Sequence, residues 1–363
     1  MKRLGILGGG QLGRMLIQAS LNYNIYTKVL DPDAEAPCHG LCNTFVQGSF
    51  DDYDTVVAFG QDVDILTVEI EHVNVAALRT LVQQGKQAFP QPDVLELIQD
   101  KGAQKQFYAK HQIPTAEFVL CTGLDEVKKY QGVFPVMQKL RRLGYDGKGV
   151  KKINSAKELA QAFTEPSLLE KCIQFTKELA VIVARNERGD ITTYPTVEMK
   201  FHPEANLVEW LLAPARITAA VDKTAREIAM KIAEALQMVG VLAVEMFLTE
   251  TGDILVNEIA PRPHNSGHHT IEGNITSQYD QHLRAIMNWP LGSTATRSPA
   301  VMINLIGNVG QLEAVLAVPG VYVHLYGKTV AKPFRKMGHI TVLHDDVNQA
   351  LQTALDIKTK VHL

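Results

Sequence analysis

No apolar run in this 363-residue sequence approaches the roughly 18 residues of a membrane span, which excludes an integral membrane protein. Cysteine is scarce. Only Cys38, Cys42, Cys121 and Cys172 occur, scattered through a long chain, so a disulfide scaffold is excluded and a reducing cytoplasm is the natural setting. An excess of one charge is lacking too: 36 basic against 39 acidic residues leave a net −3, which argues against a broad nucleic-acid-binding surface. There is no internal repeat and no low-complexity segment. The composition, 46% hydrophobic and 21% charged, is that of a folded globular chain. After Met1-Lys2-Arg3 the glycines begin too soon for a signal peptide. At about 150 residues per domain, the length predicts two or three domains.

Strand and helix signals alternate at the start. The apolar stretch Arg3–Leu7 precedes Gln11–Asn22, in which Leu12, Met15, Leu16 and Ala19 recur at the spacing of one buried helical face. Tyr26–Leu30 and Asp64–Ile70 read as strands and Val75–Gln84 as a helix. This alternation means βαβ units and a parallel sheet. From Pro92 the texture changes. One polar helix, Val94–His111, leads to the breaker Ile113-Pro114-Thr115. Beyond it come a hairpin (Val181–Ala184, Ile191–Pro195), a long helix (Ala219–Leu236) and a second hairpin (Val241–Leu248, Ile254–Ile259). After Pro290-Leu291-Gly292 the strands Ala300–Leu305, Val321–Leu325 and His339–Leu343 precede a last helix from Val347. The fold expected is α/β followed by α+β, divided at 1–92, 93–290 and 291–363.

Four stretches carry chemistry. Gly8-x-Gly10-x-x-Gly13, with Asp31 closing the second strand, fits a dinucleotide fingerprint; the same glycines equally suit a tight structural turn. Lys139 to Lys152 holds Lys139, Arg141, Arg142, Lys148, Lys151 and Lys152 against Asp146 alone, punctuated by Gly144, Gly147 and Gly149. Such a loop can fold over polyphosphate, or can be a solvated basic hairpin. In the second hairpin, a two-residue turn at Thr251-Gly252 would place Glu245 opposite Glu258. Like charges so placed repel unless neutralised, which suits Mg²⁺ bound by one or two carboxylates plus phosphates, with Asn257 as a further oxygen. The alternative is two solvated glutamates. The loop Ala260-Pro261-Arg262-Pro263-His264-Asn265-Ser266-Gly267-His268-His269 offers hydrogen-bonding side chains to a substrate. Pro37-Cys38-His39-Gly40-Leu41-Cys42 lacks a second ligand pair for zinc and reads as a loop with two buried thiols.

The basic glycine loop, the later two-glutamate hairpin and the glycine-rich α/β start resemble the ATP-grasp superfamily. Gly9-Gly10-Gln11-Leu12-Gly13-Arg14-Met15, Gly144-Tyr145-Asp146-Gly147-Lys148-Gly149, Asn257-Glu258-Ile259-Ala260-Pro261-Arg262, His264-Asn265-Ser266-Gly267-His268 and Lys336-Met337-Gly338-His339 together resemble the 5-(carboxyamino)imidazole ribonucleotide synthases. These are ATP-dependent carboxylases of purine biosynthesis, and the similarity spans essentially the whole chain. It implies an N-terminal Rossmann-like preATP-grasp domain that does not use NAD, a two-lobed ATP-grasp domain and a small β-rich C-terminal domain.

The resemblance also implies site roles. Lys101 and Lys139 would hold ATP phosphates beneath the loop Gly144, Tyr145, Asp146, Gly147, Lys148, Gly149 and Val150. Glu170, Lys171, Cys172 and Ile173 would form the adenine hinge, and Glu178 would take the ribose. Glu245 and Glu258 would carry Mg²⁺, with Mn²⁺ as a substitute and Asn257 beside them. Aminoimidazole ribonucleotide would meet Glu71, Tyr145, Asp146, Arg262, His264, Asn265, Ser266, Lys328 and Arg335. Catalysis would fall to Asp146, Arg262 and His264, with the acceptor of the amine proton open among phosphate, Asp146 and His264. Lys101 stands where arginine is common, and Val197-Glu198-Met199-Lys200-Phe201-His202 departs from the expected Glu-Asn-x-His, which leaves His202 without a role. The implied partners are ATP, bicarbonate and the ribonucleotide, in a cytoplasmic homodimer with no nucleic-acid or membrane partner. Two competitors are a formate-dependent glycinamide ribonucleotide transformylase or other acyl-phosphate ligase, and an NAD-dependent oxidoreductase or non-catalytic nucleotide-binding module.

Overall fold

The structure, a computed structural model, describes residues 2–130, 132–142, 149–201, 207–307, 310, 312–332 and 334–360. Three sheets organise the chain. The first is parallel, with β1 (Arg3–Leu7), β2 (Tyr26–Asp31), β3 (Thr44–Gln47), β4 (Ile65–Val68) and β5 (Gln87–Ala88) in the order β3-β2-β1-β4-β5. The second, in the order β6-β9-β7-β8, contains β6 (Phe118–Cys121), β7 (Val136–Leu140), β8 (Val150–Ile153) and β9 (Ser167–Lys171). The third has nine strands: β10 (Phe175–Arg185), β11 (Ile191–Thr193), β12 (Val197–Phe201), β13 (Val208–Ala213), β14 (Gly240–Thr249), β15 (Ile254–Ala260), β16 (Ala300–Ile306), β17 (Val321–Leu325) and β18 (Lys336–Leu343). Its order is β15-β14-β10-β12-β13-β16-β18-β17, with β11 paired to β10. The small C-terminal β-rich unit is therefore hydrogen-bonded into the central lobe's sheet, through β13 and β16.

The long amphipathic helix Ala219–Leu236 forms as its spacing predicts, capped by the Thr218 side chain, and buries Ala225, Ile228, Ala229 and Ile232 against the nine-stranded sheet. The single helix expected over 94–111 is two, Pro92–Ile98 and Lys101–Lys110. Asp100 breaks it, because its carboxylate accepts from the N–H groups of Gly102 and Ala103 and starts a new helix there. Tyr53–Gly60, a short helix capped by Asp52, has too little apolar periodicity to be foreseen. Cys38 is buried, but Cys42 is only half-buried, so the loop does not hide two thiols as expected. No helix among the described residues is long and apolar enough to cross a membrane.

The second hairpin differs instructively from expectation. Its loop is three residues, Glu250-Thr251-Gly252, with Gly252 at φ +88°, and Thr249 N–H donates to the Asp253 carbonyl at 2.9 Å. Leu248 thus faces Ile254, one residue out of the expected register. A β-bulge at Asn257 takes up that residue, and beyond it Glu245 faces Glu258 after all.

Leu4 and Ile6 of β1 share one core with Leu12, Met15 and Leu16 of the first helix and with Tyr279, Leu283 and Ile286 of the helix Gln278–Ile286. The N-terminal sheet is thereby fused to the central lobe. Leu283→Ala should cost about 2–5 kcal/mol. In urea unfolding followed by Trp fluorescence and circular dichroism, both probes should shift together; a shift confined to one would show that the core is not shared.

Candidate active site

The three sheets meet around a cavity of about 1120 Å³. Its floor lies beyond the C-terminal ends of the parallel strands, where open α/β sheets place their ligands. Gln11, Leu12, Glu69 and Glu71 line it from the N-terminal unit, and Lys139, Val150, Glu170, Lys171, Cys172 and Ile173 from the four-stranded sheet. Lys101, Glu178, Glu245, Asn257, Glu258, Arg262, His264 and Asn265 line its centre, and Lys328, Arg335 and Lys336 close it from the C-terminal unit.

Glu245 and Glu258 project from paired positions into this cavity. Burial, then the charge of Glu258, pushes the Glu245 carboxyl well above the usual carboxylate range. Lys101, whose Nζ lies 2.7 Å from Glu258 Oε2, holds Glu258 below that range against burial. The bulge also turns Asn257 toward the same space, where its Oδ1 accepts from Lys139 Nζ at 3.1 Å. Two carboxylates and an amide oxygen form a hard-oxygen set that fits Mg²⁺ completed by nucleotide phosphates. Among the described residues no group of three or more His, Cys, Asp or Glu forms a metal cage by itself.

Lys139 is also paired with Glu170, its Nζ 2.5 Å from Oε2, and Lys105 lies 2.5 Å from Oε1. Burial pushes the Glu170 carboxyl up, but the two lysines draw it below its ordinary value. The carboxylate is thus committed to the lysines. Lys105 is a site residue that sequence reasoning missed; one lysine inside a polar helix gives no signal. Glu178 has no such partner among the described residues, and burial raises its carboxyl to about 7 while Lys200 opposes.

Farther along, Arg262 Nη2 meets Glu71 Oε1 at 2.8 Å. The His264 ring accepts the Ser266 N–H at Nδ1 (3.3 Å), so the neutral ring carries its hydrogen on Nε2, 3.7 Å from Glu245 Oε1. Burial, then Arg262 and Lys336, lowers its pKa to about 3. Ser266 itself is fully buried behind His264, its Oγ 2.9 Å from Nδ1, and does not reach the cavity. Asn265 is fastened to Asn304 at 2.9 Å. Gln278, also missed from sequence, holds the loop by accepting the His264 N–H (2.9 Å) and donating to its carbonyl (2.8 Å). Lys328 Nζ donates to the Lys336 carbonyl and Arg335 Nη1 to the Val330 carbonyl.

Glu198, in the segment that departs from the expected pattern, pairs with Lys177 (2.8 Å) and Arg216 (2.6 Å). Gly144, Tyr145, Asp146, Gly147, Lys148 and His202 lie outside the described residues. Gly149 is described, at φ +75° just before β8. The N-terminal glycine turn is filled by the protein itself. Asp31 Oδ2 accepts from Gly9 N–H at 2.6 Å, and Glu69 Oε1 from Leu12 N–H at 3.2 Å. A Cβ on Gly10 would stand 2.5 Å from Glu69 Oε1, so this glycine makes room for a side-chain carboxylate where a dinucleotide turn admits pyrophosphate.

Family models match three successive segments: ribonucleotide synthetase preATP-grasp domain over 1–99, ATP-grasp domain over 106–279, and phosphoribosylaminoimidazole carboxylase C-terminal domain over 300–353. The crystal structure of N5-carboxyaminoimidazole ribonucleotide synthetase from Thermotoga maritima is 44% identical, with a TM-score of 0.91 over 99% of this chain and 98% of that one. The chain belongs to the N5-carboxyaminoimidazole ribonucleotide synthase family. The Aspergillus clavatus member in complex with ADP and 5-aminoimidazole ribonucleotide is 36% identical, with a TM-score of 0.91 and coverage of 99% and 98%. Phosphoribosylaminoimidazole carboxylase of Vigna aconitifolia is 40% identical over 94% of this chain, which spans only 64% of that protein's length. A preATP-grasp domain, a two-lobed ATP-grasp domain and a β-rich C-terminal unit are the family's architecture and this chain's.

Glu178 supplies a test of the site's electrostatics. An acid whose folded pKa exceeds its unfolded value loses stability for the fold as pH rises between the two. Wild type should therefore lose stability relative to Glu178→Gln between about pH 4.5 and 7, and the variant should unfold at higher temperature at pH 8 but not at pH 4. The same difference in melting temperature at both pH values would reject a buried carboxyl with a raised pKa at Glu178.

Proposed function

We propose that this protein is an ATP-dependent carbon–nitrogen ligase that carboxylates the exocyclic amine of 5-aminoimidazole ribonucleotide, using bicarbonate and releasing ADP and phosphate. The observation that carries the reading is one cavity with two chemically distinct ends. At one, Lys101, Lys139 and the facing pair Glu245 and Glu258 suit a nucleotide's phosphates. At the other, Arg262, Glu71, Lys328 and Arg335 suit a ribonucleotide.

The chemistry follows from the weakness of bicarbonate as an electrophile. A bicarbonate oxygen attacks the γ-phosphorus, the bond to the β-phosphate oxygen breaks, and ADP leaves with carboxyphosphate formed. Lys101 and Lys139 neutralise charge that develops on the transferred group. Mg²⁺ held by Glu245, Glu258 and Asn257 would add Lewis-acid stabilisation there. Carboxyphosphate is labile in water, so the three walls of the cavity serve to exclude it. Its breakdown yields CO₂ and phosphate, and the amine of the ribonucleotide captures the CO₂. His264 serves here as a neutral donor through Nε2–H, its Nδ1 held by the Ser266 N–H, and the proton that the amine loses on capturing CO₂ passes to the phosphate released from carboxyphosphate. Arg262, fixed by Glu71, faces the carboxylate-bearing species. Backbone groups of Lys171, Cys172 and Ile173 read adenine, and Glu178 reads the ribose. Four unpaired thiols agree with a reducing cytoplasm, and a homodimer is the assembly we expect.

ADP release should require both the ribonucleotide and bicarbonate for full rate, measured with each substrate omitted in turn. Equal turnover with formate and glycinamide ribonucleotide would instead indicate a transformylase. Glu258→Gln should lower the rate on the order of 100-fold to 1,000-fold at unchanged melting temperature. Wild-type turnover of that variant at low Mg²⁺ would remove the carboxylate pair from the mechanism.

A further inference from the structure

Asp100 and Arg141 form a joint outside the set of residues that act in the reaction. Asp100 is buried between two helices, and its Oδ1 accepts from the N–H groups of Gly102 (2.8 Å) and Ala103 (3.2 Å). The same carboxylate binds Arg141 in bidentate fashion, Nε to Oδ1 at 2.9 Å and Nη2 to Oδ2 at 2.6 Å. A second link runs beside it: Lys101 N–H donates to the Arg141 carbonyl at 2.8 Å. Arg142 contributes at longer range, its Nε 3.8 Å from Oδ2. Gly102 makes the contact sterically feasible, since a Cβ there would lie 2.7 Å from Arg141 Nε.

We propose that Asp100 is a positioning residue for the nucleotide: through Arg141 it locks the end of β7, which carries Lys139, to the helix start that carries Lys101. The two ammonium groups come from different elements, one on the four-stranded sheet and one on the helix Lys101–Lys110. Their separation is set only if those elements are fixed to each other. Bidentate carboxylate–guanidinium pairs fix orientation as well as distance, which a single hydrogen bond does not. Arg141 lies two residues beyond Lys139 and lines the same cavity, so tilting its backbone would carry Lys139 with it. Burial pushes the Asp100 carboxyl up, but Arg141 and the two N–H donors hold it below the usual range, as expected of a permanently charged latch.

This inference rests on the nucleotide reading of the cavity. Asp100→Asn tests it cleanly, because asparagine caps helices as well as aspartate and only the charged pair is lost. The measurements are the ADP dissociation constant with Mg²⁺ by calorimetry, the KM for ATP and for the ribonucleotide, and the melting temperature. They are made on Asp100→Asn, Arg141→Gln and the double variant. Asp100→Asn should weaken ADP and raise the KM for ATP about tenfold, with the KM for the ribonucleotide unchanged. The double variant should be no weaker than Arg141→Gln alone. Multiplying effects in the double variant, an equal rise in both KM values, or wild-type ADP binding by Asp100→Asn would each overturn it. Failure of the wild type to bind ADP at all would overturn the nucleotide reading, and this inference with it.

Discussion

Two carboxylates set opposite each other across an antiparallel pair repel, and the cleft is built around what relieves that repulsion. Lys101 neutralises Glu258, while burial and the facing Glu258 charge favour the protonated form of Glu245. The arrangement makes the cleft receptive to cationic charge at one defined place. A second buried cluster, Lys105, Glu170 and Lys139, supplies the positive face opposite. Charge of both signs is thus concentrated in the cleft, in a chain that as a whole is nearly neutral.

The glycine-rich turn shows the same economy applied to backbone groups. A helix N-terminus exposes N–H donors and attracts anions. Here Asp31 and Glu69 supply carboxylates to those donors from within the protein, and Gly10 has no side chain because Glu69 needs the space. The topology that elsewhere binds a dinucleotide becomes a wall of a different cavity. Function follows the groups that occupy the turn, not the turn itself.

Much of this could be read from the sequence where one physical signal dominated. Apolar spacing placed the helix Ala219–Leu236, and alternation of strand and helix gave the parallel sheet. A two-residue turn predicts the register of Glu245 and Glu258, but the molecule reaches it differently: a three-residue loop displaces the strands by one residue and the bulge at Asn257 restores them. Neither step has a distinct sequence mark, since Gly252 suits loops of either length. From sequence Asp100 falls within one helix, because polarity alone does not distinguish a helix interior from a cap. Lys105 and Gln278 act through partners far away in sequence, Glu170 and the His264 backbone, so their roles exist only once the chain is folded. Ser266, within a matching motif, proved to act on His264 rather than on the cavity.

The C-terminal strands join the central sheet through β13, which has β12 on one side and β16 on the other. Until residues 300–306 have been synthesised, β13 is an open edge with unpaired backbone donors and acceptors. During translation the central lobe therefore stays incomplete while most of the chain emerges. Until that pairing forms, the largely apolar strand Val208–Ala213 presents backbone groups to which a strand of another chain could add.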